Sequence, residues 1–244
     1  MKARLIASVM AAGGLAALSV SAWALELPPV DAEGMDGWRA VHLPRQTLPR
    51  TDYTRVLLDG RPALRLRAEG SYGHRVHDLP PGTTVQALRW QWRLDTPNTA
   101  GDLRRKAGDD NPVKVCVLLD APLSGVPFVE RQLLRVARAA ADEPLPAATL
   151  CYVWDSQLPA GTLLPNAYTR RVRLIVLRGA DAPQGTWLAE SRDVAADVQR
   201  AFGDELKTLP AALAVLVGAD ADNTGARSVA HLRELQATLA GGSP

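Results

Sequence analysis

A chain of 244 residues with 28 Lys and Arg against 26 Asp and Glu carries a formal charge of only +2. That balance excludes the basic surface by which proteins hold nucleic acid or an anionic membrane through charge. At 47% hydrophobic residues the chain has enough apolar material to bury a sizeable core.

Lys2 and Arg4 open the chain, followed by an apolar run from Leu5 to Val20 and the small-x-small triplet Ala22-Trp23-Ala24. These features predict a signal peptide over residues 1–24, cleaved after Ala24, and a periplasmic or secreted mature chain. The alternative is a retained anchor, for which the run is short and interrupted by Gly13-Gly14. Cleavage takes both leader charges away, leaving acids and bases balanced, and no later apolar run is long enough to span a membrane.

Residues 25–244 read as one domain. Pro and Gly punctuation, from Pro28-Pro29 through Gly60, Pro80-Pro81, Pro97, Pro112 and Pro165, cuts it into short pieces without a linker. Ala63 to Ala68 alternates apolar and charged residues, and Leu88, Trp90, Trp92 and Leu94 share a strand face opposite Arg89, Gln91 and Arg93. Val172, Leu174 and Val176 form one face of another strand, with Ile175 and Leu177 on the other. Ala211 to Val217 is apolar throughout, as a central strand covered on both sides would be. The pattern predicts a mainly β protein, a sandwich or barrel rather than βαβ units.

Two short helices interrupt the strands. One lies in an insert near residues 126–142, where Val129, Leu133, Val136, Ala137 and Ala140 share a face taken as inward. Arg131, Arg135 and Arg138 are on its solvated side, and Asp142, Pro144 and Pro146 end it. The other runs from Arg192 to Phe202, with Asp193 at its N-terminus and Gly203 as its stop. Val229 to Leu239 reads as helix by composition and as a closing strand by position. Cys116 and Cys151 each sit in an apolar strand-like run; antiparallel pairing of those runs would allow a disulfide, and two buried free thiols are the alternative.

No nucleophile elbow, zinc-protease helix, Cys-x-x-Cys pair, phosphate loop or dinucleotide fingerprint occurs. His74 and His77 would point to opposite faces of a strand, so they read as surface or turn residues. Asp109-Asp110 follows Lys106 and Gly108 in a loop before a strand, and Glu190 opens a charged run. Trp90 and Trp92 read as core, whereas Trp154 and Trp187 are either core or rings on which a sugar could stack. Asp220, Asp222 and Thr224, followed by Gly225, match the first half of a structural calcium loop. His231 stands where the bidentate glutamate of an EF-hand belongs, and a polar turn is the alternative.

The ordered set Trp90-Gln-Trp92-Arg93, Lys106-Ala-Gly-Asp109-Asp110, Val115 to Leu119, Cys151-Tyr152-Val153-Trp154, Asn166-Ala-Tyr168-Thr169-Arg170, Trp187 to Val194 and Asp220 to Gly225 resembles the exported bacterial domain-of-unknown-function family 3047. The resemblance covers about residues 35 to 235 and implies a β-rich single domain, a jelly roll like those of carbohydrate-binding modules. The cysteines and the long insert depart from the family pattern. On the motifs, Lys106, Asp109, Asp110, Trp154, Asn166, Tyr168, Arg170, Glu190 and Arg192 are the candidate ligand-binding residues. Polar groups at strand ends either converge on a site or form ion pairs that fix the fold. The leading expectation is a noncatalytic envelope domain that binds a glycan or another envelope ligand. The alternatives are a glycan hydrolase or lyase using Asp109, Asp110 or Glu190, and an envelope protein-interaction domain working through the insert helix.

Overall fold

The computed structural model describes residues 26–32, 35–43, 45–140 and 145–241. The signal segment expected at 1–24, and the helix stop read at Asp142 and Pro144, lie outside the described residues. Two sheets pack face to face. The first has seven strands: β1 (Arg39–Val41), β4 (His74–Asp78), β11 (Ala212–Gly218), β6 (Val113–Leu119), β7 (Ala148–Trp154), β9 (Val172–Arg178) and β8 (Leu163–Pro165), in that spatial order. The second has five: β10 (Leu188–Asp193), β5 (Thr84–Thr96), β12 (Arg227–Ala240), β3 (Arg61–Glu69) and β2 (Asp52–Leu58). The pairings are antiparallel except that β7 and β9 run parallel. β11 thus sits between β4 and β6, and the stretch from Val229 to Leu239 is strand, in the middle of its sheet.

Alternation explains the layers. Val113, Val115, Val117 and Leu119 of β6 point into the same core as Leu88, Trp90, Trp92 and Leu94 of β5. The aromatic contacts cross the gap: Trp92 meets Trp154 at 5.8 Å and Trp90 meets Tyr152 at 5.6 Å between ring centres. Trp154 is 1% exposed, so its expected role as a ligand-binding ring is corrected to that of a core residue.

Among the described residues, α1 (Phe128–Ala140) and α2 (Val194–Phe202) are the two α-helices. Asp193 caps α2, its carboxylate accepting from Ala196 N at 2.9 Å, while Val198, Ala201 and Phe202 enter the core. α1 docks the other way round from expectation. Val129, Leu133 and Val136 are 66–70% exposed, whereas Leu134 packs on the core and Glu130 pairs with Arg171 at 2.7 Å. The side chains of Ala137, Arg138 and Ala140 lie outside the described set. Periodicity identifies two faces of a helix; here an ion pair beside a single leucine decides which one is held down.

Candidate ligand-binding groove

The residues of β6 that alternate with its core positions, Lys114, Cys116 and Leu118, face away from the second sheet. With Cys151 of β7, Val172 of β9 and Leu216 of β11 they line a groove of about 520 Å³. Cys116 and Cys151 are directly opposite each other in the β6–β7 ladder, 4.0 Å apart at Cα, and are joined as a disulfide in the groove floor. One end of the groove is therefore apolar.

The other end collects polar groups from the termini of β4, β6 and β11. His74 and Lys114 both pair with Gly218 across their ladders. A Cβ at Gly218 would lie 2.6 Å from the His74 ring and 2.9 Å from Lys114 Cε, so a hydrogen there lets the two side chains close over the strand. Lys114 Nζ donates to Asp220 Oδ2, and Asn111 N donates to Asp220 Oδ1 at 2.6 Å. The Lys114 ammonium holds the Asp220 carboxyl down at about 2 despite its burial. His74 Nε2 lies 3.8 Å from Asp220 Oδ2 and has no hydrogen-bond partner; burial and the Lys114 charge push this imidazole down, toward the neutral form. On the other wall Asn166 Nδ2 donates to Asp109 Oδ2 at 2.5 Å, and Tyr168 Oη donates to Asn223 Oδ1 at 2.6 Å.

Asp222 reaches the same end. Burial, with Asp220 and Asp110 nearby, pushes its carboxyl up to about 6, and its buried Oδ1 has no donor. A raised carboxyl opposes folding wherever it is ionised, and protonation of the native state relieves that penalty as pH falls through about 6. Asp222→Asn is expected to raise the melting temperature at pH 7.5, with the gain shrinking below pH 6 and absent near pH 4, where the unfolded chain is also protonated. Melting curves across that range check it; a gain that persists at pH 4 would contradict the assignment.

Asp110 is 2% exposed and is enclosed by the loop that follows β11. Its carboxylate accepts from Thr224 Oγ1 at 2.5 Å, Thr224 N at 2.9 Å, Asn223 N at 3.1 Å and Asn223 Nδ2 at 3.2 Å. Gly225, at φ +67°, turns this loop back toward β12. Asp220, Asp222 and Thr224, the expected calcium ligands, thus have different surroundings: Asp220 meets the Lys114 ammonium, Asp222 has a buried Oδ1 without a partner, and Thr224 donates to the Asp110 carboxylate. Among the described residues no three His, Cys, Asp or Glu side chains are grouped to hold a metal ion.

Of the expected ligand-binding residues, Asp109, Asn166 and Tyr168 line the groove, together with Asp220, Asp222 and the two cysteines. Lys106 stands at the rim, its Nζ 5.3 Å from the Tyr168 ring centre. The others are elsewhere. Glu190 accepts from Trp92 Nε1 at 2.8 Å and Arg178 Nε at 2.6 Å, tying β10 of one sheet to β9 of the other. Arg192 pairs with Asp197 at 2.6 Å beside Tyr152, and Arg170 is exposed away from the groove. Of Asp109, Asp110 and Glu190, the carboxylates named for the hydrolase or lyase alternative, Asp109 lines the groove and the other two do not. His74, read as a surface or turn residue, is 9% exposed and lines it. Lys114 and Tyr72 were missed as well. The available signal was Lys114 itself, a charge at a position whose strand neighbours are all apolar.

A family model described as "Protein of unknown function (DUF3047)" matches residues 36–236, a span that holds every motif quoted above. The chain belongs to this family. The groove and its polar end fall entirely within the DUF3047 span. Among solved structures, the xyloglucanase domain of NopAA, a type three effector from Sinorhizobium fredii in complex with cellobiose, is similar over 83% of this chain and 98% of that chain, at 7% identity and a TM-score of 0.39. No curated protein matches the chain.

Proposed function

We propose that this DUF3047 protein is a noncatalytic binding domain, exported by its leader to the periplasm or beyond, that holds a glycan or another envelope ligand in the groove. The observation that carries the reading is the groove's division: an apolar floor over a disulfide at one end, and tyrosines, amides and carboxylates at the other. Concave sites of this size, mostly apolar with a few convergent polar groups, suit small ligands or the terminal units of larger ones. Leu118, on the floor and only partly buried, is the place to test it. Titration of envelope-derived oligosaccharides by calorimetry is expected to give binding that falls at least tenfold in Leu118→Trp, with the fold intact by circular dichroism. Binding unaffected by filling the groove would overturn the reading. Recovery of periplasmic protein beginning at Leu25 checks the export step.

A second reading, a protein-interaction domain, is supported by the exposed Val129, Leu133 and Val136 stripe of α1. Pull-down from envelope extract with the triple serine variant separates the two: loss of a partner with groove binding intact would favour it.

A further inference from the structure

We infer that the polar end of the groove receives a protonated amine, so that the ligand is a primary amine attached to an apolar body. The inference rests on the groove-binding reading above and names the chemistry of what binds there.

Charge accounting at the groove carries it. Among the described residues, the charged side chains that line the groove are three carboxylates, Asp109, Asp220 and Asp222, and one ammonium, Lys114. Lys114 is spent on Asp220, to which it donates directly. His74 supplies no balancing charge, because it is buried beside that ammonium and held toward its neutral form, with Nε2 unpartnered at the groove wall. Asp109 keeps only a neutral partner, the Asn166 amide, and Asp222 keeps a buried oxygen without any donor. Two carboxylates therefore line one groove with no cation of their own among the described residues. Carboxylates crowded in that way stabilise a cation far more than they stabilise a neutral hydroxyl, and they repel an anion. Tyr72 and Tyr168 line the same end, and aromatic rings attract cations, as Lys106 Nζ at 5.3 Å from the Tyr168 ring centre already illustrates. The apolar floor beyond, with Leu118, Leu216 and the disulfide, suits the hydrocarbon part of such a ligand.

The experiment uses three probes with one tail, n-octylamine, n-octyl β-D-glucoside and octanoate, titrated into the mature protein at pH 7.5. A second pair, glucosamine and glucose, tells an amino sugar from an alkyl amine as the source of the cation. Octylamine is expected to bind at least tenfold more tightly than the other two octyl probes. Asp222→Asn is expected to weaken octylamine at least tenfold while leaving octyl glucoside unchanged. Preference of glucosamine over glucose would assign the amine to a sugar, and no difference would assign it to the alkyl amine. Equal or tighter binding of octyl glucoside or octanoate, or an Asp222→Asn variant that binds octylamine as the wild type does, would overturn the amine inference and leave the groove reading standing. Failure of every octyl probe and of glucosamine would overturn the amine inference, and failure of the envelope oligosaccharides as well would overturn the groove reading.

Discussion

Replacing Asp220 with Ala is expected to destabilise the protein by about 3–5 kcal/mol, the usual cost of removing one partner from a buried ion pair. Asp220 is 4% exposed, and it is the acceptor for both Lys114 Nζ and Asn111 N. Without it an ammonium stays buried beside a neutral imidazole, and a backbone N–H loses its acceptor. The double variant Lys114→Met/Asp220→Asn removes both charges and is expected to recover most of that loss, because an apolar replacement no longer strands a charge. Urea denaturation of the two variants makes the comparison; equal losses in both would show that packing, not charge, holds this corner. The pH dependence has a definite sign. The Asp220 carboxyl is held at about 2 against an ordinary 3.8, so its contribution is fully present above about pH 4 and is lost as pH falls through 2. Asp222 acts in the opposite sense over pH 4 to 6, so two acids two positions apart bend the stability curve in opposite directions.

Removal of the disulfide is the second large effect. It closes a loop of 35 residues, for which the loop-closure model gives roughly 3–4 kcal/mol. In a chain of this length that corresponds to a fall in melting temperature of roughly 10 °C for Cys116→Ala/Cys151→Ala. Cys116 and Cys151 are buried, so dithiothreitol is expected to reproduce the shift only after partial unfolding exposes the bond. Calorimetry on the variant and on reduced wild type tests this, and a variant that melts with the wild type would refute it. The same change removes part of the groove floor, so ligand affinity is expected to fall with stability.

The strands were legible because most are covered on one face only. Leu88, Trp90, Trp92 and Leu94 alternate with polar residues that point to solvent, and the pattern assigns them inward without further information. β7 gives no such contrast: it is buried along its whole length, so nothing local says which side Trp154 takes. The same limit hid the polar end of the groove. His74, Lys114 and Gly218 become neighbours only through the placing of β11 between β4 and β6, and period-two alternation carries no information about strand order. Asp109, Asn166, Tyr168 and the loop from Asp220 to Gly225 were visible as polar residues at strand ends, a position where side chains from several strands can meet. Glu190 and Arg192 carried the same signature, yet they serve sheet-to-sheet and strand-to-helix ion pairs. A local motif does not distinguish the two roles, because partner geometry is not local.

The order of strands along the chain has a consequence for biosynthesis. β11 and β12, late in the chain, are the middle pieces that β4 and β6, and β3 and β5, need in order to pair. A nascent polypeptide ending before residue 212 would present four bare strand edges and no completed sheet. Its closure then depends on contacts between segments far apart in sequence, which makes assembly slow and postpones it until the final strands emerge. Until then the polypeptide stays open, with apolar faces and strand edges exposed to aggregation.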